Sequence, residues 1–340
     1  MMNTDLIIIG GGAAGLMATA YASEIGLKCL IVEARHLPGR KLLLCGNNKC
    51  NLTSGMSTNE FIQCYNSKVS EFLEPALNKF GPGDLRKWFS NQGLQTFVEK
   101  DGRVYPKSRN ADDVLHVFTD IIRSNNFPSL YNCRINALRK KNKMYEVSND
   151  FIKLYAPNVL LATGGVSYPK TGSVGDGQKM VKTFGHKLIP FQPGLVGFEF
   201  DKQVKHIPMA DVEIVCDNKV IGTTSGDIYP EQWGARGKAL TNASSIVAHQ
   251  NAKNYHFNVI PMGKQGPFKL YPKKTRPLKE AMVTVGGISL NDIDSNTMES
   301  RKSRGLYFAG EVMDVDGPTG GFNLTAAFAT ARLAVDSIKN

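Results

Sequence analysis

Asp5-Leu-Ile-Ile-Ile-Gly10-Gly-Gly12-Ala-Ala-Gly15 decides the fold of this chain. Its apolar run, Asp5 to Ile9, reads as a buried strand. Gly10-Gly11-Gly12 turns the chain, Ala13 to Ile25 is an alanine-rich helix, and Leu27 to Val32 is a second apolar run ending at Glu33. Strand, turn, helix and strand make a βαβ start of the α/β class. Each glycine of Gly10-x-Gly12-x-x-Gly15 has its own task. The first permits the tight turn, the second lets the backbone approach a pyrophosphate, and the third lets helix and strand pack closely. The helix N-terminus, with Ala13 and Ala14, offers free N–H groups and partial positive charge to phosphates. Glu33 stands 18 residues after Gly15, with Ala34 beside it, where a carboxylate can accept hydrogen bonds from ribose hydroxyls. The motif predicts a dinucleotide site, and by itself it does not separate FAD from NAD.

Further along, Thr58 to Gln92 reads as helical with a break near Gly81-Pro82-Gly83. Thr96 to Pro106 resembles a hairpin turning at Asp101-Gly102, and Ala111 to Ser124 is an amphipathic helix. Met144 to Leu154 forms a second hairpin pattern, and Asn158 to Ala162 is a short apolar strand. From Leu188 to Lys279 the texture changes to short β runs with many Gly and Pro. Ala281 to Val285 and Leu306 to Ala309 restore strand character, and Leu324 to Ile338 is a long closing helix. The expected organisation is a discontinuous domain of residues 1-187 and 281-340, interrupted by a β-rich substrate domain at 188-280.

Two later segments point towards FAD. Val159 to Gly165 is a strand ending in the small residues Ala162, Thr163 and Gly164, suited to close approach by the adenosine half. Gly305 to Glu311 ends a strand on Gly310-Glu311, a carboxylate able to bind ribityl hydroxyls. Gly317 to Leu324 then opens the last helix. Gly321, Phe322, Asn323 and Leu324 at that N-terminus would face the flavin pyrimidine edge and stabilise an anionic reduced flavin. An ordinary glycine-rich turn is the alternative.

With these segments, Gly39-Arg-Lys-Leu-Leu-Leu-Cys-Gly-Asn-Asn-Lys-Cys-Asn-Leu-Thr53, Tyr168 to Gly177, Val283 to Ile288, Thr297 to Ser300 and Gly305 to Leu324 resemble the BaiN/YhiN-type family of FAD-binding flavoproteins. The resemblance covers most of residues 1 to 200 and 280 to 340. It implies a Rossmann-like FAD-binding domain of the glutathione-reductase-like, discontinuous kind with an inserted β-rich domain. It also implies cofactor contacts from Asn51, Thr53 and Ile135. Arg40 and Lys41 suit the pyrophosphate. The activities it implies are enone reduction on steroid-like substrates, reduction of uridine to dihydrouridine in rRNA, and amine oxidation. Two departures stand out. About ninety residues separate Leu188 from Glu280, too few for the family's usual small helical domain as well. Asn47-Asn48-Lys49 also replaces a more glycine-rich, Arg-containing loop.

Composition sets the remaining bounds. A chain of 340 residues, 42% hydrophobic, can bury a sizeable core. No stretch approaches the ~18 apolar residues that span a bilayer, and the N-terminal run lacks a positive leader, so a cytoplasmic enzyme without membrane contact is expected. Six cysteines show no zinc spacing, so no metal is expected and reduced thiols are. Net charge is +11, which favours anionic partners. Arg134 to Lys143 holds five basic residues, and Lys264 to Lys279 holds six, interleaved with Phe268 and Tyr271. Such runs suit an RNA backbone with a flipped, stacked base, or are simply solvated loops.

No second GxGxxG follows a strand, so electrons are expected from NAD(P)H visiting the flavin transiently, or from the substrate itself. The leading expectation is an oxidoreductase that reduces an activated C=C bond in an RNA or a small molecule. Cys50 is the candidate acid that protonates the α-carbon, with a buried structural thiol as the alternative. A flavin-dependent amine oxidase and a non-catalytic FAD-binding protein remain open. His186, after Gly185, is expected to cap a helix end.

Overall fold

Leu6–Ile9 and Cys29–Val32 are buried along their whole length, as strands covered on both faces of a parallel sheet must be. They form β1 and β2, joined by helix α1 (Ala13–Glu24). The structure, a computed structural model, describes residues 4–263 and 266–339. Lys264 of the second basic run lies outside the described residues.

β1 pairs in parallel with β2, Leu6 opposite Cys29 and Ile9 opposite Val32. On its other edge it pairs with Asn158–Leu161, Leu6 opposite Asn158. Leu306–Phe308 adds beyond Asn158–Leu161, and Ser129–Leu130 beyond β2. The result is a five-stranded parallel sheet. The closing helix, Phe322–Lys339, packs along α1. Alanines at 14, 18, 20 and 22 on α1, and at 326, 327, 329 and 331 on the closing helix, are buried. Their small side chains let the two helices approach closely. The carboxyl ends of β1, β2, Asn158–Leu161 and Leu306–Phe308 lead into Gly10, Glu33, Ala162 and Ala309. In open α/β sheets, ligands bind at that edge.

The helical stretch from Thr58 divides into Thr58–Gln63, Ser67–Lys79 and Pro82–Asn91. The break before Pro82 was expected, and the one at Cys64 to Asn66 was not. Asn66 Oδ1 accepts from the Val69 N–H at 3.0 Å and starts a new helix there. The Met144–Ser148 and Lys153–Ala156 hairpin is joined by Ala137–Lys141 into a three-stranded sheet.

Residues 166–168 and 190–285 make a second compact unit, the remainder forming the first. The chain leaves the first unit within Leu188–Gly194 and returns within Val283–Ile288. In the second unit, Ile207–Cys216 pairs antiparallel with Lys219–Glu231 on one side and Tyr255–Pro261 on the other. Seven strands join this sheet among the described residues. It also carries a helix, Lys238–His249, which the β-rich reading missed. Ser, Thr and Asn lower that segment's helix propensity. Tertiary burial of Ala239, Leu240, Ala243 and Val247 holds it in place.

Candidate cofactor site

The glycine turn carries three different constraints. Gly10 has φ +108°, and a Cβ there would lie 2.5 Å from the Ala162 carbonyl oxygen. A Cβ on Gly15 would lie 1.8 Å from the Gly10 oxygen, so α1 and β1 meet backbone to backbone. A Cβ on Gly12 would meet nothing within 4 Å. No side chain caps α1, and no acid occupies its first turn with Ala13 and Ala14. Its N-terminal amides are therefore left without a side-chain acceptor, as an anion site at a helix start requires.

Glu33, 9% exposed, sits at the rim of this turn. Its Oε2 accepts from the Gly11 N–H at 2.6 Å and its Oε1 from the Arg35 N–H at 2.8 Å. The Cys133 N–H donates to the Glu33 carbonyl at 2.9 Å. That bond brings the segment carrying buried Ile135 alongside Glu33 and Ala34.

A second turn is tied to the first by the Gly39 N–H, which donates to the Gly11 oxygen at 2.7 Å. Helix α2 (Arg40–Leu43) follows. Lys41 Nζ meets Glu311 Oε2 at 2.6 Å, next to Gly310. After α2, Gly46, Asn47, Asn48 and Cys50 all have φ between 55° and 64°. Asn tolerates the left-handed region better than other side chains. Asn47 and Asn48 can therefore stand where the family carries glycine.

The stretch that follows meets the start of the closing helix. Thr325 Oγ1 donates to Thr53 Oγ1 at 2.8 Å, across 272 residues of sequence. Gly321 has φ +92°, and a Cβ there would lie 2.4 Å from Thr53 Cα. With its amide oriented by these neighbours, Asn51 accepts from the Gly321 N–H at 3.2 Å. Phe322 stacks on Phe61 with centroids 4.2 Å apart. Asn323 clasps Gly317, accepting from its N–H at 3.0 Å and donating to its oxygen at 2.9 Å. Leu324 is partly buried.

Ala162, Thr163 and Gly164 follow Asn158–Leu161, and Gly164 has φ +70°. Gln178 Nε2 donates to the Gly164 oxygen at 2.9 Å and the Val312 oxygen at 3.3 Å. Thr163 Oγ1 and Gln178 Oε1 are buried without a partner among the described residues. Orphaned buried polar atoms cost about 1–3 kcal/mol each and mark a place where a polar ligand or water belongs. Gln178 was missed from sequence, although it directly follows the Tyr168 to Gly177 motif. The open cradle over Gly12, the uncapped α1 and these orphaned atoms fit a bound dinucleotide.

Cys50 is 0% exposed and presents no atom to a substrate in this conformation. Its hydrogen bond to Cys45 and its burial push the thiol well above the usual range. His186 does serve a helix end, its Nδ1 facing the Val181 oxygen at 3.3 Å. It also reaches Ser300 Oγ at 2.8 Å through Nε2.

The basic runs are partly neutralised. Arg134 pairs with Asp176, and Lys141 with Glu146 at 2.8 Å. In the second run Lys273 pairs with Asp201, and Arg276 meets Glu199 at 2.7 Å and Glu280 at 2.9 Å. Among the described residues no group of three His, Cys, Asp or Glu could hold a metal ion, and no helix is long and apolar enough to cross a membrane.

Residues 4–337 match the HI0933-like protein Rossmann domain. The chain belongs to that family. It is therefore one of the BaiN/YhiN-type FAD-binding flavoproteins, a family of FAD-dependent oxidoreductases. It is 27% identical over 400 aligned positions to the 3-dehydro-bile acid delta(4,6)-reductase of Clostridium scindens, covering 96% of this chain and 97% of the relative. It is 25% identical over 397 positions to the ribosomal RNA dihydrouridine synthase of Escherichia coli, covering 97% of each. Both alignments are longer than this 340-residue chain, so the relatives carry residues this member lacks. Among solved structures, the 3-ketosteroid delta1-dehydrogenase of Sterolibacterium denitrificans aligns with a TM-score of 0.58 at 11% identity, over 99% of both chains. A flavocytochrome c3 fumarate reductase aligns at 0.53 and 14% identity, over 98% of this chain and 78% of the other. At such identities these two show a shared fold.

Proposed function

We propose that this member of the HI0933-like family holds FAD and reduces a C=C bond conjugated to a carbonyl, with NAD(P)H as the transient electron donor. The observation that carries this reading is a coincidence of names. A bile acid delta(4,6)-reductase and a dihydrouridine synthase share little as molecules. Each name nevertheless describes saturation of a C=C bond, and both relatives align with this chain nearly end to end.

FAD held in the cofactor site would supply two-electron hydride chemistry. The chain's own residues do the rest. The α1 amides and Gly12 bind the pyrophosphate, aided by the Arg40 charge, and Glu33 with Ala34 holds the adenosine ribose. Ala162, Thr163, Gly164 and Ile135 line the adenosine side, with Gln178 supplying a polar atom. Glu311 with Gly310 binds the ribityl hydroxyls. Asn51, Thr53 and Gly321 to Leu324 form the wall at the closing helix, whose dipole stabilises negative charge at its N-terminus. Proton delivery falls to a group other than buried Cys50, or to solvent.

The substrate is an enone or its uracil equivalent, carried on a small molecule or on RNA. The positive net charge supports RNA, and the ion pairs within both basic runs weaken that support. Anaerobic titration tests the whole reading. NADH or NADPH should bleach the flavin band, and either a uridine-containing rRNA fragment or a steroid-like enone should restore it. A flavin that neither nicotinamide bleaches, or that neither substrate reoxidises, overturns the proposal.

A further inference from the structure

Cys45 and Cys50 bracket the exposed loop of residues 46 to 49. The Cys50 N–H donates to the Cys45 oxygen at 2.9 Å, and the two thiols lie close enough to shift one another's acidity. The main-chain bond holds the two residues side by side, the kind of close approach a disulfide needs (roughly 4.4–6.8 Å between α-carbons). Left-handed backbone at Gly46, Asn47, Asn48 and Cys50 is what folds the chain back so sharply. Both thiols are free.

We propose that Cys45 and Cys50 form a redox-active dithiol that closes to a disulfide by exchange with a low-molecular-weight disulfide. Cys45 is the attacking sulfur. It is only partly buried, beside the exposed loop, whereas Cys50 is enclosed. The Cys50 thiol donating to it, helped by the Asn51 backbone and the Lys41 charge, holds Cys45 below the usual thiol range against the pull of burial. Its thiolate attacks one sulfur of the small disulfide, and the released thiolate takes up a proton. Cys50 then gives up its proton, and its sulfur displaces the second small thiol from the mixed disulfide. Two protein thiols lose two electrons in all, and one small disulfide becomes two thiols. The new bond would tie the α2 side of the loop to the Asn51 to Thr53 side. The inference stands on thiol geometry and does not need the reductase reading to hold.

The test uses the purified full chain in graded mixtures of reduced and oxidised glutathione, with acid quenching, alkylation and tryptic mapping. Cleavage after Lys41, Lys49 and Lys68 puts Cys45 and Cys50 on separate peptides, and fragmentation distinguishes Cys50 from Cys64. The expected result is loss of both alkylatable thiols in one transition, with the two peptides linked. Cys50→Ala should trap a glutathione adduct on Cys45, and Cys45→Ala should leave Cys50 unmodified. Exposed Cys64 is the internal control. Cys45 and Cys50 remaining free under conditions that modify Cys64 would overturn the proposal. So would a stable Cys45 adduct in the unaltered protein.

Discussion

Lys41 Nζ and Glu311 Oε2 meet at 2.6 Å across 270 residues, with 27% and 18% of their side chains exposed. The pair joins α2 to the end of the Leu306–Phe308 strand. An ion pair that still reaches solvent contributes only about 0.2–1 kcal/mol, so Glu311→Gln should barely move the melting temperature. If the carboxylate binds the cofactor's ribityl chain, the same change should weaken FAD binding about tenfold, or ~1.4 kcal/mol. Fluorescence titration with FAD measures this, and an unchanged affinity would take Glu311 out of the site.

Gly12 and Gly15 should behave in opposite ways. Gly15→Ala drives a methyl group into the Gly10 oxygen, 1.8 Å away, and should prevent folding. Gly12→Ala meets no neighbour and has no positive-φ strain. The apo protein should therefore melt as before while FAD binding drops sharply, because the methyl group occupies the cradle. Normal FAD binding by Gly12→Ala would place the pyrophosphate elsewhere.

Glu33→Gln keeps the side chain's shape but turns one acceptor into a donor. The Gly11 and Arg35 N–H groups then compete for a single oxygen, and a buried donor is left over. The cost should be about 1–3 kcal/mol, read as a lower melting temperature of the apo protein. An unshifted melting temperature would mean these two bonds contribute nothing net.

His186 makes stability depend on pH. The Val181 carbonyl can only accept, so Nδ1 carries the proton and Nε2 accepts from Ser300. Ser300 Oγ already accepts from the Lys302 and Ser303 N–H groups at 3.0 and 2.9 Å, which leaves its hydroxyl proton for the imidazole. Burial holds the His186 pKa below its ordinary 6.5. The unfolded chain therefore binds the proton more readily, and this stability is present above about pH 6.5 and lost as pH falls through the folded-state pKa. Asp292, close by, is held below its ordinary value: burial would raise it, but the Lys187 N–H and Lys302 outweigh that. Its contribution is lost at still lower pH. The melting temperature should fall between roughly pH 7 and 5.5, and His186→Gln should flatten that slope. An equal slope in both proteins would assign it to the carboxylates.

Local patterns carried the first unit from sequence. The run before Gly10, the spacing to Gly15 and the placement of Glu33 are short-range features. Each has one physical explanation, and the structure shows Gly10 and Gly15 in the strained or crowded positions such spacing demands. What lay hidden was long-range. Nothing near Thr53 in sequence announces Thr325, and Lys41 gives no sign of Glu311, because such pairings follow from how distant segments pack. The partial neutralisation of the charge runs was hidden for the same reason, since Glu199 and Asp201 lie far upstream of the lysines and arginine they pair with. The Lys238–His249 helix was missed because burial of its apolar stripe overrides a weak local propensity.

The approach of Gly321 to Thr53 also has a temporal side. During synthesis, Thr53 leaves the ribosome long before its partner is made. The nascent chain carries Thr53 with no opposing wall until Gly321 has cleared the exit tunnel. Closure of this wall therefore waits on a segment made hundreds of residues later.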